Sequence, residues 1–479
     1  MRHTLVRRIP QVLIMLLWLL TGLRPATAAS HAVGVNAHQP SSDVLDAIQD
    51  LGVGWVRIDL NWLQAAPRKD RYDWALFDAI IDGAVRRGLK VFPTLSYGPA
   101  WATEPDSDGI PSNNTPKVGE YQKFCQAVAT RYGGKITHFG LWNEPNLAGF
   151  FEGTMQQWID RVVIEGIRGI KAGCPTCKVL GPELATIGKD YANYLDASLV
   201  ALKRAGLMYD AVSWHIYANF PDLDPSLLLC TGDSFFHKLD AHRVCKLGGL
   251  VVYEGPLSVR EVLLKHGLSA LPVWITETGR TAAIDDSKRK TEQATYYRRV
   301  LEEQLKRGWY ENTFFYEIVD DNTIADKWGM AVQSGGSYPA SYRKKPAWDL
   351  LHKALESPGF GGRGSECSDG LDNDGDRAID YPKDSDCASA SGPSEGPPRA
   401  PLTAEVLSNR ATASPTAVEA QTPGDYLALI PPAASGCSLT PGRRDAAPWA
   451  GLLSLLFLGS CAVRRRARRI GPAVPACGS

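Results

Sequence analysis

Short apolar runs alternate with segments of helical spacing from residue 33 to 355, and this alternation constrains the fold of the 479-residue chain most strongly. It is typical of βα units, in which helices cover a parallel sheet. Two helical stripes carry apolar residues three or four positions apart. They are Leu76, Phe77, Ile80, Ile81, Ala84 and Val85, followed by Gly88 as a stop, and Met155, Trp158, Ile159, Val162, Val163, Ile167 and Ile170.

Eight of the apolar runs have the length and composition of strands. They cover residues 33–38, 54–61, 90–96, 136–143, 178–183, 211–217, 273–277 and 313–319. Eight βα units close a parallel sheet on itself, so the predicted fold is an α/β (β/α)8 TIM barrel over residues 29–357. Active sites of such barrels lie at the C-terminal rim of the strands.

Glu144 and Glu277 stand at the C-terminal ends of two predicted strands. Glu144 follows the fourth strand and precedes Pro145, which prevents a simple continuation into helix, and Glu277 ends the seventh strand. Strand alternation predicts that Trp142 and Glu144 share a face. Both glutamates could be structural, but carboxylates are rarely buried without a partner or a task. Two carboxyl groups at one rim indicate paired acid and nucleophile chemistry.

The composition argues against nucleic acid as a partner. The 52 Lys and Arg residues are balanced by 52 Asp and Glu residues, so there is no basic excess for phosphate binding. The 13 Trp and 17 Tyr residues suit stacking on sugar rings. We therefore expect a carbohydrate partner.

The motif Leu141-Trp142-Asn143-Glu144-Pro145-Asn146, with Glu277 on strand seven, resembles the retaining glycoside hydrolases of clan A. With Trp62 and Tyr72-Asp73-Trp74 after strand two, the sequence looks most like family 39, and family 5 is next. The resemblance implies a β-glycosidase that needs no cofactor for catalysis, with Glu144 as acid/base and Glu277 as nucleophile. The alternative is a glycan-binding surface protein that kept the barrel but lost turnover.

The same resemblance implies further substrate-binding residues. Arg57 would lie near the nucleophile, unless it forms an ion pair with Asp59 instead. Asn143 would bind the sugar 2-hydroxyl. The remaining candidates are His215 and Tyr217 on strand six, the rim aromatics Tyr97, Trp101 and Trp328, which suit core packing equally well, and the weaker His38 and Asn36.

The N-terminus has the pattern of a secretory signal peptide over residues 1–28. Arg2, Arg7 and Arg8 precede an apolar stretch, and Ala26-Thr27-Ala28 is a small-residue cleavage site. Export lets the ten cysteines form disulfides. We expect the pairs Cys230–Cys245 and Cys367–Cys387, and a bond from Cys125 to Cys174 or Cys177; the Cys174-Pro-Thr-Cys177 spacing also fits a redox or zinc half-site.

The barrel is followed by an acidic segment at residues 365–388, between Cys367 and Cys387. It resembles the calcium-binding Asp-rich repeats of the thrombospondin type 3 kind. It is no regular EF-hand, because Arg377 replaces the required glycine. The alternative is a solvated acidic turn. The predicted calcium ligands are Asp369, Asp372, Asp374, Asp376 and Asp380.

Residues 389–436 are rich in Pro, Ala, Ser and Thr and predict a disordered linker. An uncharged run at 446–463 then precedes Arg464-Arg-Arg-Ala-Arg-Arg469, which favours a transmembrane helix with a cytoplasmic tail over a helix packed on the barrel. Together with Cys437, residues 437–470 resemble myxobacterial C-terminal sorting signals. The sequence therefore predicts an exported protein at the cell surface or outer envelope, held by its C-terminal helix or processed there.

Overall fold

The computed structural model describes residues 31–387 except 106–109, 188–189, 231, 323–324, 362–365, 374–375 and 381. It confirms the predicted barrel. Eight parallel strands close in the order β1-β8-β7-β6-β5-β4-β3-β2, and β1 pairs with both β2 and β8. The strands are β1 Ala32–Asn36, β2 Trp55–Asn61, β3 Lys90–Ser96, β4 His138–Leu141, β5 Lys178–Ala185, β6 Ala211–His215, β7 Val273–Thr278 and β8 Tyr310–Phe315.

The helices cover the outside of the sheet, as the apolar stripes predict. The helix Ala75–Arg86 matches the first stripe, while the second becomes Met155–Trp158, a π-helical turn Ile159–Ile164 and the helix Glu165–Gly173. Thr154 begins that second unit with a capping box to Gln157. The other α-helices are Ser42–Leu51, Trp62–Ala65, Glu120–Tyr132, Tyr191–Arg204, Phe235–Leu239, Val259–Lys265, Ser287–Leu305 and Pro346–Ala354.

Large rings fill the barrel interior below the rim. Trp55 on β2 and Trp274 on β7 meet across the barrel at a ring distance of 5.1 Å, and Phe92 and Phe314 pack beside them. A Cβ at Gly34 would lie 2.6 Å from Phe314, so only glycine fits there.

Strand β4 ends earlier than predicted, and this corrects one expectation. The strand stops at Leu141, and both Trp142 and Glu144 have positive φ, 63° and 42°. Trp142 is buried against Tyr121 and Phe151 in the outer core, whereas Glu144 meets the polar groups of the rim. The prediction that Trp142 and Glu144 share a strand face is therefore wrong, because alternation ends with the strand.

Three disulfides join described cysteines. Cys230–Cys245 and Cys367–Cys387 confirm the predicted pairs; the former links a loop to a hairpin of Val244–Leu247 and Leu250–Glu254. The prediction for Cys125 is wrong, because Cys174 bonds to Cys177 and Cys125 is a buried free thiol. A disulfide at Cys174–Cys177 also occupies both sulfurs of the considered zinc half-site.

The acidic segment folds against the barrel, with its carboxylates accepting backbone N–H groups. Asp369 accepts from Leu371, Asp372 from Arg377, Asp376 from Ala378, and Asp380 from Gly370. Asp380 also pairs with Lys353 at 3.3 Å. Asp374 lies outside the described residues. Calcium binding by this segment stays a prediction.

The signal peptide, the linker and the C-terminal sorting signal all fall on residues outside the described part of the chain. Within the described part, the structure contains no helix that is long and apolar enough to cross a membrane.

Candidate active site

Glu144 and Glu277 lie side by side at the C-terminal rim of the barrel. One carboxylate oxygen of each, together with a ring nitrogen of His215, falls within 4.8 Å of the others. Both glutamates are 7% exposed, so their carboxylates sit in a pocket shielded from bulk water. The turn after β4 holds Glu144, whose backbone N–H donates to the carbonyl of Glu183 at 2.9 Å.

Arg57 on β2 connects the polar groups of the rim. Its Nη1 donates to Glu277 Oε1 at 2.7 Å and to Asn36 Oδ1 at 2.9 Å. Its Nη2 donates to Asn143 Oδ1 at 2.9 Å and to Glu183 Oε2 at 3.1 Å. Burial opposes the charge, but Glu277 and Glu183 outweigh it and raise the pKa of Arg57. The structure thus places Arg57 at Glu277, as the resemblance implied, rather than in the alternative ion pair with Asp59.

Tyr217 holds the other oxygen of Glu277. Its hydroxyl donates to Glu277 Oε2 at 2.7 Å, while Arg57 binds Oε1. Burial and the neighbouring Glu277 raise the pKa of Tyr217, so the phenol keeps its proton. Donors on both oxygens fix the orientation of the Glu277 carboxylate.

His215 at the end of β6 lies between two glutamates. Its Nδ1 is 2.9 Å from Glu144 Oε1 and its Nε2 is 3.0 Å from Glu183 Oε2. Burial alone would lower the pKa of His215, but Glu277, Glu144 and Glu183 raise it to about 9. Burial raises the pKa of Glu144 despite this neighbour, as a general acid requires.

Glu183 is a site residue that the sequence interpretation missed. It lies on β5 near its C-terminal end, is 0% exposed, and accepts from Arg57, His215 and Thr276. The signal was present, because Glu183 ends the fifth predicted strand just as Glu144 and Glu277 end theirs. The arginine and the imidazolium outweigh its burial and lower the pKa of Glu183.

The three rim aromatics have different surroundings. Trp328 is half-buried, and its ring meets the ring of Tyr217 edge-on at a centroid distance of 5.2 Å. Tyr217 is the residue that binds Glu277. Tyr97 directly follows β3, has φ 61° and is buried; desolvation and the charges of Asp59, Glu144 and Glu277 raise its pKa. Trp101 instead packs on Trp62 and donates to the carbonyl of Ala66 at 2.9 Å. These contacts agree with the packing alternative, and substrate binding by Trp101 stays a prediction.

His38 belongs to a second polar group at the rim. Its Nδ1 donates to Asp59 at 2.8 Å, and its Nε2 lies 3.0 Å from the Tyr316 hydroxyl and 3.5 Å from Glu317. Partial desolvation opposes protonation, but Tyr316, Asp59 and Glu317 raise the pKa of His38 above its usual value, and solvent at the partly exposed ring weakens their effect. Its side chain is 42% exposed. Sequence reasoning missed Tyr316 and Glu317, although both fall within the eighth predicted strand.

A family model described as "Cellulase (glycosyl hydrolase family 5)" matches residues 25–221. The matched range includes Arg57, Asn143, Glu144, His215 and Tyr217 and ends before Glu277. No curated protein matches the sequence.

Among solved structures, a family 39 glycoside hydrolase from Bacteroides cellulosilyticus WH2 is 19% identical, with a TM-score of 0.49. The alignment covers 68% of this chain and 63% of that one, so the chain spans less than two thirds of that relative. A family 39 beta-xylosidase from Caulobacter crescentus is 20% identical, with 69% and 71% coverage and a TM-score of 0.49. Xylanase 10B from Thermotoga petrophila RKU-1, in complex with xylobiose, is 13% identical, with 70% and 99% coverage and a TM-score of 0.49. These likenesses are too distant to indicate a substrate.

Proposed function

We propose that this barrel, which is of the clan A glycoside hydrolase type, hydrolyses β-glycosidic bonds of a polysaccharide or oligosaccharide with retention of configuration. The observation that carries the proposal is the pair of buried carboxyl groups, Glu144 and Glu277, with one oxygen of each within 4.8 Å. The surroundings of the two carboxyl groups differ, and the difference suits two separate catalytic roles. Glu277 accepts hydrogen bonds on both oxygens, whereas burial keeps a proton available on Glu144.

In the first step, a Glu277 oxygen attacks the anomeric carbon while the bond to the leaving oxygen breaks. Glu144 gives its proton to that oxygen, and a glycosyl ester of Glu277 forms. In the second step, Glu144, now ionised, takes a proton from water as the water attacks the same carbon. The sugar leaves with its original configuration and Glu277 returns as a carboxylate.

The separation of the two carboxyl groups supports retention. Retaining glycosidases hold them about 5 to 5.5 Å apart, and inverting enzymes about 6.5 to 9.5 Å apart to admit a water. Oxygens of Glu144 and Glu277 within 4.8 Å fit the closer class.

Asn143 fits the role of binding the 2-hydroxyl of the sugar. Its Oδ1 accepts from Arg57, which directs the amide and leaves Nδ2 as the donor toward the substrate. A hydrogen bond at this hydroxyl strengthens as oxocarbenium character develops. Trp328 packs against Tyr217, which binds Glu277, and its half-buried ring is a candidate surface for stacking on the substrate, while the buried Tyr97 lies near the charges of Glu144 and Glu277.

We further propose that the enzyme acts outside the cell, attached at the surface. The sequence supports this with a signal peptide pattern at 1–28 and a sorting signal pattern at 437–470, which includes the apolar run 446–463.

The function is tested by incubating the purified protein with a panel of β-linked polysaccharides and measuring the release of reducing sugar. We expect release from at least one member, and its loss in Glu277→Ala. Glu311→Ala is the matched control, because Glu311 lies on β8 near the opposite end of the barrel. Release that persists in Glu277→Ala would contradict the assignment, and no release across the panel would favour the glycan-binding alternative.

A further inference from the structure

The mechanism above leaves one ionised group of the rim without a task, the carboxylate of Glu183. With 0% exposure it touches no substrate. Its Oε2 accepts from His215 Nε2 at 3.0 Å, from Arg57 Nη2 at 3.1 Å and from Thr276 Oγ1 at 3.1 Å. Glu183 thus contacts one partner of the acid, His215, and one partner of the nucleophile, Arg57.

The backbone is also built around this side chain. Glu183 has a positive φ of 56°, a conformation that favours glycine, and its carbonyl accepts the N–H of Glu144. Gly140 on β4 makes room for the carboxylate, since a Cβ there would lie 3.2 Å from Glu183 Oε1. Backbone strain at a polar rim residue is consistent with a function.

We propose that Glu183 is a positioning residue that holds His215 as a doubly protonated donor, with its Nδ1–H directed at the acid/base Glu144. The inference rests on the proposed function for its kinetic test only. An ionised carboxylate on Nε2 requires a proton there. The second proton, on Nδ1, is then held by Glu144 at 2.9 Å and by Glu277 at 3.7 Å.

The charges around the imidazole explain why His215 would keep both ring protons. Three carboxylates face it, those of Glu144, Glu183 and Glu277, and two of them, Glu183 and Glu277, are also paired with the guanidinium of Arg57. When Glu144 is protonated and ready to act as an acid, only Glu183 and Glu277 remain as anions, and both are shared with Arg57. Without Glu183, the imidazole would keep one anionic neighbour and would lose its second proton.

The charge of His215 affects the pKa of Glu144. His215 and Arg57 favour the ionised form of Glu144, and Glu277 disfavours it. The nearby phenols of Tyr97 and Tyr217 stay neutral. The imidazolium thus lowers the pKa of Glu144 toward the value at which it can serve as acid and then as base. With a neutral imidazole, Glu144 would hold its proton to higher pH.

Glu183→Gln is a suitable variant because it removes the charge of the side chain and keeps its size and shape. The amide oxygen can replace Oε2 as hydrogen-bond acceptor. The amide nitrogen takes the position of Oε1, which has no hydrogen-bond partner among the described residues. In this variant the alkaline limb of the kcat/KM profile on a phenyl β-glycoside should move up by about one pH unit or more, the usual effect of one close opposite charge. Phenyl glucoside, xyloside, galactoside and mannoside supply the probes.

The control is Glu302→Gln. Glu302 is also fully buried and ion-paired, with Arg298 and Arg299, but it lies on the outer helix Ser287–Leu305. This variant should lose stability with the limb unchanged. If Glu183→Gln is slower at every pH with an unmoved limb, Glu183 is merely structural and the proposal fails.

A second measurement uses the wild type and needs neither activity nor a folded variant. In ¹⁵N NMR of histidine-labelled protein, His215 should show two protonated ring nitrogens at pH 7 and titrate near pH 9. A neutral His215 at pH 7 would overturn the proposal. If the wild type cleaves no glycoside, the proposed function fails, and the NMR result still decides the state of His215.

Discussion

Replacing Arg57 by methionine should destabilise the barrel mainly through charge. The guanidinium is 2% exposed and forms ion pairs with Glu183, which is 0% exposed, and with Glu277. Methionine has a comparable length but removes the guanidinium from both carboxylates, whose remaining basic neighbour is His215. Removing one partner of a buried ion pair costs about 3 to 5 kcal/mol, because the other charge remains desolvated.

The loss in unfolding free energy converts into a lower melting temperature through the unfolding entropy, which grows with the size of the domain. Unfolding entropy of about 2.1 cal/mol/K per residue gives about 0.7 kcal/mol/K for roughly 350 residues. Arg57→Met should therefore melt about 4 to 7 °C below the wild type at pH 7. Arg57→Lys keeps the charge but reaches fewer of the four acceptors, so we expect an intermediate value.

The difference in melting temperature between the wild type and Arg57→Met should also depend on pH, and it should be larger at neutral pH than in acid. Arg57 lowers the pKa of Glu183, so this stabilisation is present above the ordinary carboxyl pKa and is lost as pH falls through the lowered folded value. Without the arginine, the buried carboxyl takes up a proton more readily. Calorimetry at pH 7 and pH 4 should show the gap between wild type and Arg57→Met narrowing in acid. An equal gap at both pH values would refute the charge argument and indicate lost packing.

Three further predictions concern the acid, the anchor and the acidic segment. On an activated aryl glycoside, Glu144→Ala should still form the glycosyl-enzyme and regain turnover with azide, whereas Glu277→Ala should not; indistinguishable variants would contradict the two roles. Deleting residues 437–479 should release active enzyme into the medium, and intact-mass analysis of the surface form should show whether processing occurs at Cys437; equal cell association of full-length and truncated protein would refute the anchor. Calcium should raise the melting temperature through residues 365–388, and identical melting in calcium and in EDTA would contradict a site there.

The barrel could be predicted because its signals are local. Each predicted strand is an apolar run, and each observed strand lies within a few residues of its prediction. The ends are less accurate, as at β4, where Trp142 and Glu144 leave the strand conformation. Backbone turns of this kind depend on partners such as the Glu183 carbonyl, which the local sequence does not identify.

The site could be predicted only in part, because many of its contacts join residues that are far apart in the sequence. Glu144, Glu277 and Arg57 are marked by their motif and their places on the strands. The alternative considered for Arg57 was an ion pair with Asp59, a neighbour in sequence, but Asp59 pairs with His38 instead. Partners chosen by packing across a closed barrel have no signature in spacing alone, whereas the bond between Cys174 and Cys177 agrees with the redox alternative for their spacing.

The first-formed anomer tests most directly whether Glu277 and Glu144 act in a double displacement. A substrate from the panel is hydrolysed with excess enzyme in an NMR tube, and the anomeric proton is recorded before mutarotation. A double displacement produces the β-anomer first, since two inversions restore the original configuration. An α-anomer as the first product would mean that water attacks directly, and it would contradict the assignment of Glu277 as nucleophile.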